Sequence, residues 1–216
     1  MKADTYLTKI LISRQGYIAL RLKDQYSLHR IVYDLFDDIR TDKEKQLSLK
    51  ANIVWKDLGF NDNRRVILII TDRKPRPHSG HGYMTVESKL IPDSFLSHSH
   101  FRFDAVLNPV VRGGDRGRKV IPVKGRENVR NWFINKSNHE WGFIANQATL
   151  DIGNVDVLQF PGKTGQKITL AQARISGTLE VTDPDKFEFA FCRGLGRGTA
   201  FGCGMLLATP ILESIY

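Results

Sequence analysis

Two successive parts of this chain carry nearly the same order of hydrophobic periods, and that repetition narrows the fold more than any single residue does. Residues 5–13 alternate and are rich in β-formers, which predicts a strand. Residues 26–36 place Leu28, Ile31, Val32, Leu35 and Phe36 at helical spacing. Residues 51–55 and 66–71 predict two further strands around the turn composition Gly59-Phe60-Asn61-Asp62-Asn63. Residues 74–100 interrupt the pattern. Prolines, glycines and histidines crowd their first ten positions, which predicts an irregular surface segment joining two halves.

The pattern then restarts. Residues 101–107 predict a strand and 126–134 a helix. Strands follow at 155–160 and 168–181, around the turn Pro161-Gly162-Lys163-Thr164-Gly165. Asp183-Pro184 is a helix start, because Asp accepts backbone N–H bonds as a cap and Pro fits the first turn. That helix runs to about residue 193, and residues 202–209 supply a last strand. The succession predicts an α+β chain of two tandem ferredoxin-like (RRM-like) domains, residues 1–97 and 98–216.

A chain of 216 residues suits such a pair, at roughly 100–150 residues per domain. At 41% hydrophobic and 25% charged residues it can bury a core and is not expected to be disordered. No stretch approaches the roughly 18–20 apolar residues that span a bilayer. The N-terminus, Met1-Lys2-Ala3-Asp4-Thr5-Tyr6, enters a strand pattern with no apolar signal core. Two cysteines make neither a disulfide framework nor a four-cysteine zinc site. The expected setting is a reducing cytoplasm, away from membranes. Net charge is +9 and the pI about 9.6, which favours a polyanionic partner.

Three constellations carry chemistry. In Asp24-Gln25-Tyr26-Ser27-Leu28-His29-Arg30, Tyr26 and His29 are three apart at a helix start and share a face. A histidine there can take and give a proton at cellular pH; the plainer explanation is a solvated histidine on an amphipathic helix. The second is Arg112, Arg116, Arg118, Lys119, Lys124, Arg126 and Arg130. Across residues 112–130 these seven bases meet two acids, a net +5 in under a tenth of the chain. Glycines 113, 114 and 117 let that loop follow a phosphate chain, and arginine gives bidentate contacts. The plainer explanation is a solvated basic loop.

The third runs from Arg193 and Gly194 through Gly196, Arg197, Gly198 and Thr199 to Gly204, with five glycines in residues 194–204. It lacks the Gly-Lys-Ser/Thr of a phosphate loop and follows a helix, unlike the dinucleotide fingerprint. Its backbone N–H groups could hold an anion or an RNA backbone, or the glycines could serve a tightly packed chain reversal. Weaker candidates are the pairs Asp37/Asp38, Asp183/Asp185, His78/His81 and His98/His100, and Cys203. The two histidine pairs could bind a metal, but no cluster suggests a two-metal nuclease, and no aromatic RNA-stacking pattern is present.

Taken together these features resemble the CasE family, the CRISPR RNA-processing endoribonucleases of subtype I-E Cascade, within the repeat-associated mysterious protein superfamily. Tyr6-Leu7-Thr8-Lys9 matches the family's opening strand, and Tyr26-Ser27-Leu28-His29-Arg30 its Tyr-x-x-His-Arg. Phe101-Arg102-Phe103 through Asn108-Pro109, Arg118-Lys119-Val120 with the Trp132 helix, and Gly177-Thr178-Leu179-Glu180-Val181 with Asp183-Pro184 follow in order. The glycine-rich end closes the match. The resemblance implies metal-independent cleavage, without a cofactor, on the 3′ side of a CRISPR repeat stem-loop. The 2′-hydroxyl attacks, leaving a 2′,3′-cyclic phosphate and a 5′-hydroxyl. It implies His29 as catalytic acid or base with Tyr26 as partner, and a basic hairpin at residues 160–168, carrying Lys163 and Lys167, in the groove of the stem. Arg30 is the cation placed to stabilise the phosphorane. The implied partners are the mature guide RNA (crRNA), which stays bound, and other Cascade subunits, including a backbone subunit. Where the family has Lys or Arg in its glycine loop, this chain has Thr199, with Arg197 two positions earlier. The alternative is a non-cleaving RNA-binding subunit of a ribonucleoprotein.

Overall fold

The computed structural model describes residues 4–47, 51–77, 82–113 and 119–212. Strands β1 (Tyr6–Ser13), β2 (Ile53–Asn61), β3 (Arg64–Thr71) and β4 (Met84–Leu90) form an antiparallel sheet in the order β2-β3-β1-β4. That order is the ferredoxin-like one. Helices α1 (Arg14–Ala19), α2 (Gln25–Asp34) and α3 (Asp42–Gln46) lie between β1 and β2. Leu28, Val32, Leu35 and Phe36 from α2 and the turn after it pack on Ile10, Ile12, Trp55, Ile67 and Ile69. Each such side chain contributes roughly 1.5–3 kcal/mol through burial.

Two local expectations are corrected. The turn between β2 and β3 is only Asp62-Asn63, with φ of 46° and 62°. Two positive φ values make the tight hairpin whose twist suits the flanking strands, and Asp and Asn tolerate them. Gly59, Phe60 and Asn61 therefore belong to β2, where Phe60 pairs with Arg65. Second, the segment expected to be irregular contains β4, paired to β1 from Tyr6↔Leu90 to Ile12↔Met84. It is an edge strand on which only Met84 and Val86 reach the core, so apolar alternation is faint. A helical turn, α4 (Asp93–Leu96), follows. His78 and His81 lie outside the described residues.

The second sheet comprises β5 (His100–Leu107), β8 (Phe143–Ala145), β9 (Asp151–Pro161), β10 (Lys167–Val181) and β11 (Leu206–Pro210). Strands β6 (Val110–Gly113) and β7 (Lys119–Pro122) make a separate hairpin, and α5 (Arg126–Glu140) and α6 (Pro184–Arg193) are the helices. The order β11-β5-β10-β8, with β9 also on β10, is again ferredoxin-like, so the chain is a tandem of the fold. Asp183 caps α6 by accepting from Lys186 N at 3.1 Å, and Pro184 follows in the first turn. β5 leaves β10 at Leu107↔Ala173, whereas β9 stays paired to Lys167↔Pro161. Residues 167–172 and their β9 partners thus project as a two-stranded ribbon.

The two sheets share one apolar interface. Val54 and Ile70 are buried in the same cluster as Phe101, Phe191, Met205 and Leu206. Beside it, Lys56 from β2 bonds to Asp104 from β5, whose other oxygen accepts from Arg174 Nε of β10 at 2.6 Å. Among the described residues no helix is long and apolar enough to cross a membrane.

Candidate active site

α2 starts at a capping box. Ser27 N donates to Asp24 Oδ1 at 2.8 Å, and Asp24 N donates to Ser27 Oγ at 3.0 Å. This fixes the first turn, so Leu28 and Val32 face the sheet while His29 is half-buried and Arg30 exposed.

The glycine-rich segment folds onto that turn. A 3-10 turn, Thr199–Phe201, is bracketed by Gly198 and Gly202, both left-handed with φ of 85° and 81°. A Cβ at Gly202 would stand 3.1 Å from the Trp55 indole, and one at Gly194 would stand 2.8 Å from Thr199 Cγ2 and 3.1 Å from Val54. Val54 and Trp55 face opposite sides of β2, the edge strand, so the segment wraps that edge. The glycines are needed because side chains would hold the wrap open.

The wrap delivers one carbonyl, that of Ala200, to two donors. Trp55 Nε1 donates to it at 3.1 Å, and His29 Nδ1 lies 2.9 Å away. A carbonyl oxygen only accepts, so Nδ1 carries a proton and the neutral ring keeps its lone pair on Nε2. Burial lowers the His29 pKa from 6.5, opposed in part by the bond to Ala200. The ring is therefore neutral at pH 7, with one nitrogen fixed as donor and the other ready to accept.

Aromatic rings surround it. Tyr33 lies 4.1 Å from His29 between ring centroids, Phe201 5.5 Å and Tyr26 5.9 Å, the last stacked. Burial pushes the Tyr33 phenol up to about 12, so it stays protonated. Phe201 in turn meets Phe160 edge-on at 5.1 Å. Phe160 sits in β9 with Leu170, Cys203 and, packed around them, Tyr26 and Ile168. The helix with His29, the glycine-rich segment and the base of the ribbon thus converge on one small apolar cluster.

The remaining expected residues divide. Lys163 and Lys167 are exposed at the ribbon's end, where Gly162 N donates to Gln166 O at 2.8 Å to close the turn. Arg112, Lys124, Arg126 and Arg197 are exposed, with Arg126 donating to Asn154 Oδ1 at 2.8 Å. Arg130 is spent on structure, donating to the carbonyls of Leu150 at 2.9 Å and Gln147 at 2.6 Å. Arg116 and Arg118 lie outside the described residues, as does the Lys119 side chain. Arg193 and Gly196 are half-buried and Gly194 buried, while Thr199 is only 7% exposed, its methyl against Gly194. Burial pushes the Cys203 thiol up to about 12, an inert state. His98 Nδ1 meets the Phe95 carbonyl at 3.1 Å. Among the described residues no three potential metal ligands gather.

Sequence reasoning missed Tyr33, Trp55, Phe201 and the Ala200 carbonyl. Tyr33, four residues after His29, could have been found from helical spacing. Nothing local marks Ala200, because the bond spans 171 positions.

Solved structures share this arrangement of elements. Thermus thermophilus Cse3, "bound to an RNA representing a pre-cleavage complex", superposes with a TM-score of 0.74 at 21% identity, over 96% of this chain and all of the other. Cas6e from Escherichia coli K-12 gives 0.59 at 16%, over 95% of this chain and all of the other. A chain of a "CRISPR RNA-guided surveillance complex, pre-nicking" gives 0.65 at 22%, with the same coverage. No curated protein sequence matches. The family model described as "CRISPR associated protein" matches residues 5–210, nearly the whole chain, and on that extent this chain belongs to the CRISPR associated protein family.

Proposed function

We propose that this chain is an endoribonuclease that cuts CRISPR precursor RNA on the 3′ side of the repeat stem-loop. The observation that carries this reading is the His29–Ala200 bond, which leaves Nε2 as a positioned base. In the reaction, Nε2 takes the proton of a ribose 2′-hydroxyl and that oxygen bonds to the adjacent phosphorus. The bond from phosphorus to the 5′-oxygen breaks, giving a 2′,3′-cyclic phosphate and, after protonation, a 5′-hydroxyl. Tyr26 stacks beside the ring and would position the scissile phosphate; Arg30, exposed on the next residue, would offset charge on the phosphorane. The nucleophile belongs to the RNA, so the reaction is proposed to run without a metal or cofactor.

Lys163 and Lys167 on the projecting ribbon are suited to the phosphates of a stem, read by shape and groove. The RNA-bound and complex-bound neighbours support retention of the product as crRNA and assembly with other Cascade subunits, a backbone subunit among them. The test is incubation with the cognate repeat RNA in EDTA. Cleavage is expected from the wild type and not from His29→Ala, and a 2′-deoxy substitution at the scissile nucleotide should stop it. The second reading, a non-cleaving RNA-binding subunit, draws on the close packing of His29 against Tyr33 and Phe201. Undiminished cleavage by His29→Ala, or none by the wild type, would remove the catalytic reading.

A further inference from the structure

Away from His29, a cleft of about 520 Å³ opens between the β6–β7 hairpin, α5 and the glycine-rich segment. It is large enough for one nucleotide. Trp132, half-buried, lines it, with its Nε1 donating to the Val110 carbonyl at 3.2 Å so that the ring is held in place. Arg112 and Arg197 stand exposed along it, and among the described residues neither forms an ion pair. Lys136 also lines it, paired with Glu140.

The decisive atom is Asn108 Oδ1. It is buried and has no hydrogen-bond partner among the described residues. A buried acceptor left unpaired is costly, and Asn108 lines the cleft, so a turn of its amide would offer the oxygen to a donor bound there. Asn108 bridges Arg197 through the backbone, which ties the acceptor to one of the two cations.

We propose that this cleft is a pocket for a single unpaired nucleotide of the RNA. The base stacks on the Trp132 indole and one of its N–H groups donates to Asn108 Oδ1, while Arg112 and Arg197 meet the adjoining phosphates. An aromatic face beside cations is what single-stranded RNA binds, and each stacked base strengthens binding on the order of tenfold. A base paired inside a stem offers neither its face nor its free edge, so the pocket selects nucleotides that flank or interrupt the hairpin.

The pocket presupposes the RNA-processing activity proposed above, and cleavage of the same RNAs by the wild type reports on that activity separately. Two RNAs serve: the repeat stem-loop with its unpaired flanks, and the stem-loop trimmed to its paired part and loop. Asn108→Ala should weaken binding of the flanked RNA about tenfold and leave the trimmed one within twofold. Equal losses on both, or no loss, overturn the pocket. In the unmodified protein, 5-iodouridine placed in turn at each unpaired position should give on irradiation an adduct mapped to Trp132 from one position. Adducts confined to other residues overturn it too, whatever the fate of the Asn108 variant.

Discussion

His29 Nδ1 lies 2.9 Å from the carbonyl oxygen of Ala200, so the tautomer of a histidine beside the first sheet is set by a loop that follows the second domain's last helix. The base proposed at Nε2 is therefore set up only when both sheets are folded and packed together.

His29→Ala should lower cleavage at saturating RNA by at least about 100-fold, the usual worth of a positioned base. The pH profile gives a second reading. Burial holds the His29 pKa below 6.5. If the neutral ring is the base, kcat/KM rises with pH through a pKa below 6.5 and levels off above it. The linkage has the same sign: the unfolded ring binds its proton more readily than the folded one. Stability therefore declines as pH falls below about 6.5 and stops declining below the folded pKa. A rate that climbs as pH falls from 7 to 5 would sink the assignment of His29 as base.

Gly202→Ala should cost about 1–3 kcal/mol in a denaturant melt, because the residue sits at φ 81° with the Trp55 ring 3.1 Å from where Cβ must go. It should also lower the cleavage rate of the folded fraction, since the Ala200 carbonyl moves with the turn. Trp55→Phe leaves Gly202 in place and removes the Nε1 donor, a bond worth about 1 kcal/mol, and the space left by the smaller ring at this fully buried position adds to that loss. A Gly202→Ala protein as stable and active as wild type would show that the turn does not hold His29.

The contact between the sheets can be tested at Lys56 and Asp104. Lys56 is 5% exposed, and burial, with Arg174 behind it, pushes its ammonium down, to about 8, while that ammonium bonds to Asp104. Asp104→Leu alone should cost about 3–5 kcal/mol, the usual loss when one partner of a buried pair is removed. Adding Lys56→Met should recover most of it. The Arg174 side chain is 71% exposed and can turn to water when Asp104 is gone. Chemical denaturation of the single and double variants decides this. Strictly additive losses would mean that the two residues do not act as a pair.

The fold was legible wherever periodicity and caps agreed. The spacing of Leu28, Ile31, Val32 and Leu35 located α2, and Asp183-Pro184 located α6 to the residue. It was illegible where burial is one-sided or absent. β4 buries little beyond Met84 and Val86, and the polar end of α5 is held on the surface, with Lys136 paired to Glu140. Of the site, Tyr26, His29 and the glycines stood out by residue type and spacing. What those glycines accomplish did not, because the partner of His29 is a backbone carbonyl, and every residue has one. The basic count likewise could not tell Arg130, committed to two carbonyls, from Arg112, which faces an open cleft.

The ribbon supplies the last prediction. Lys163 and Lys167 stand exposed at its far end, beyond the edge where β5 stops supporting β10. Removing them leaves the His29 cluster untouched, because Phe160 and Leu170 pack nearer the sheet. If each lysine neutralises one RNA phosphate, each alanine substitution should reduce the slope of log affinity against log salt by about 0.7–0.9, and the double variant by about twice that. Cleavage at saturating RNA should change far less than affinity, since the lysines bring charge to the stem rather than to the reacting phosphorus. Binding measured from 50 to 300 mM salt tests this. An unchanged slope would mean that the ribbon does not lie along the RNA.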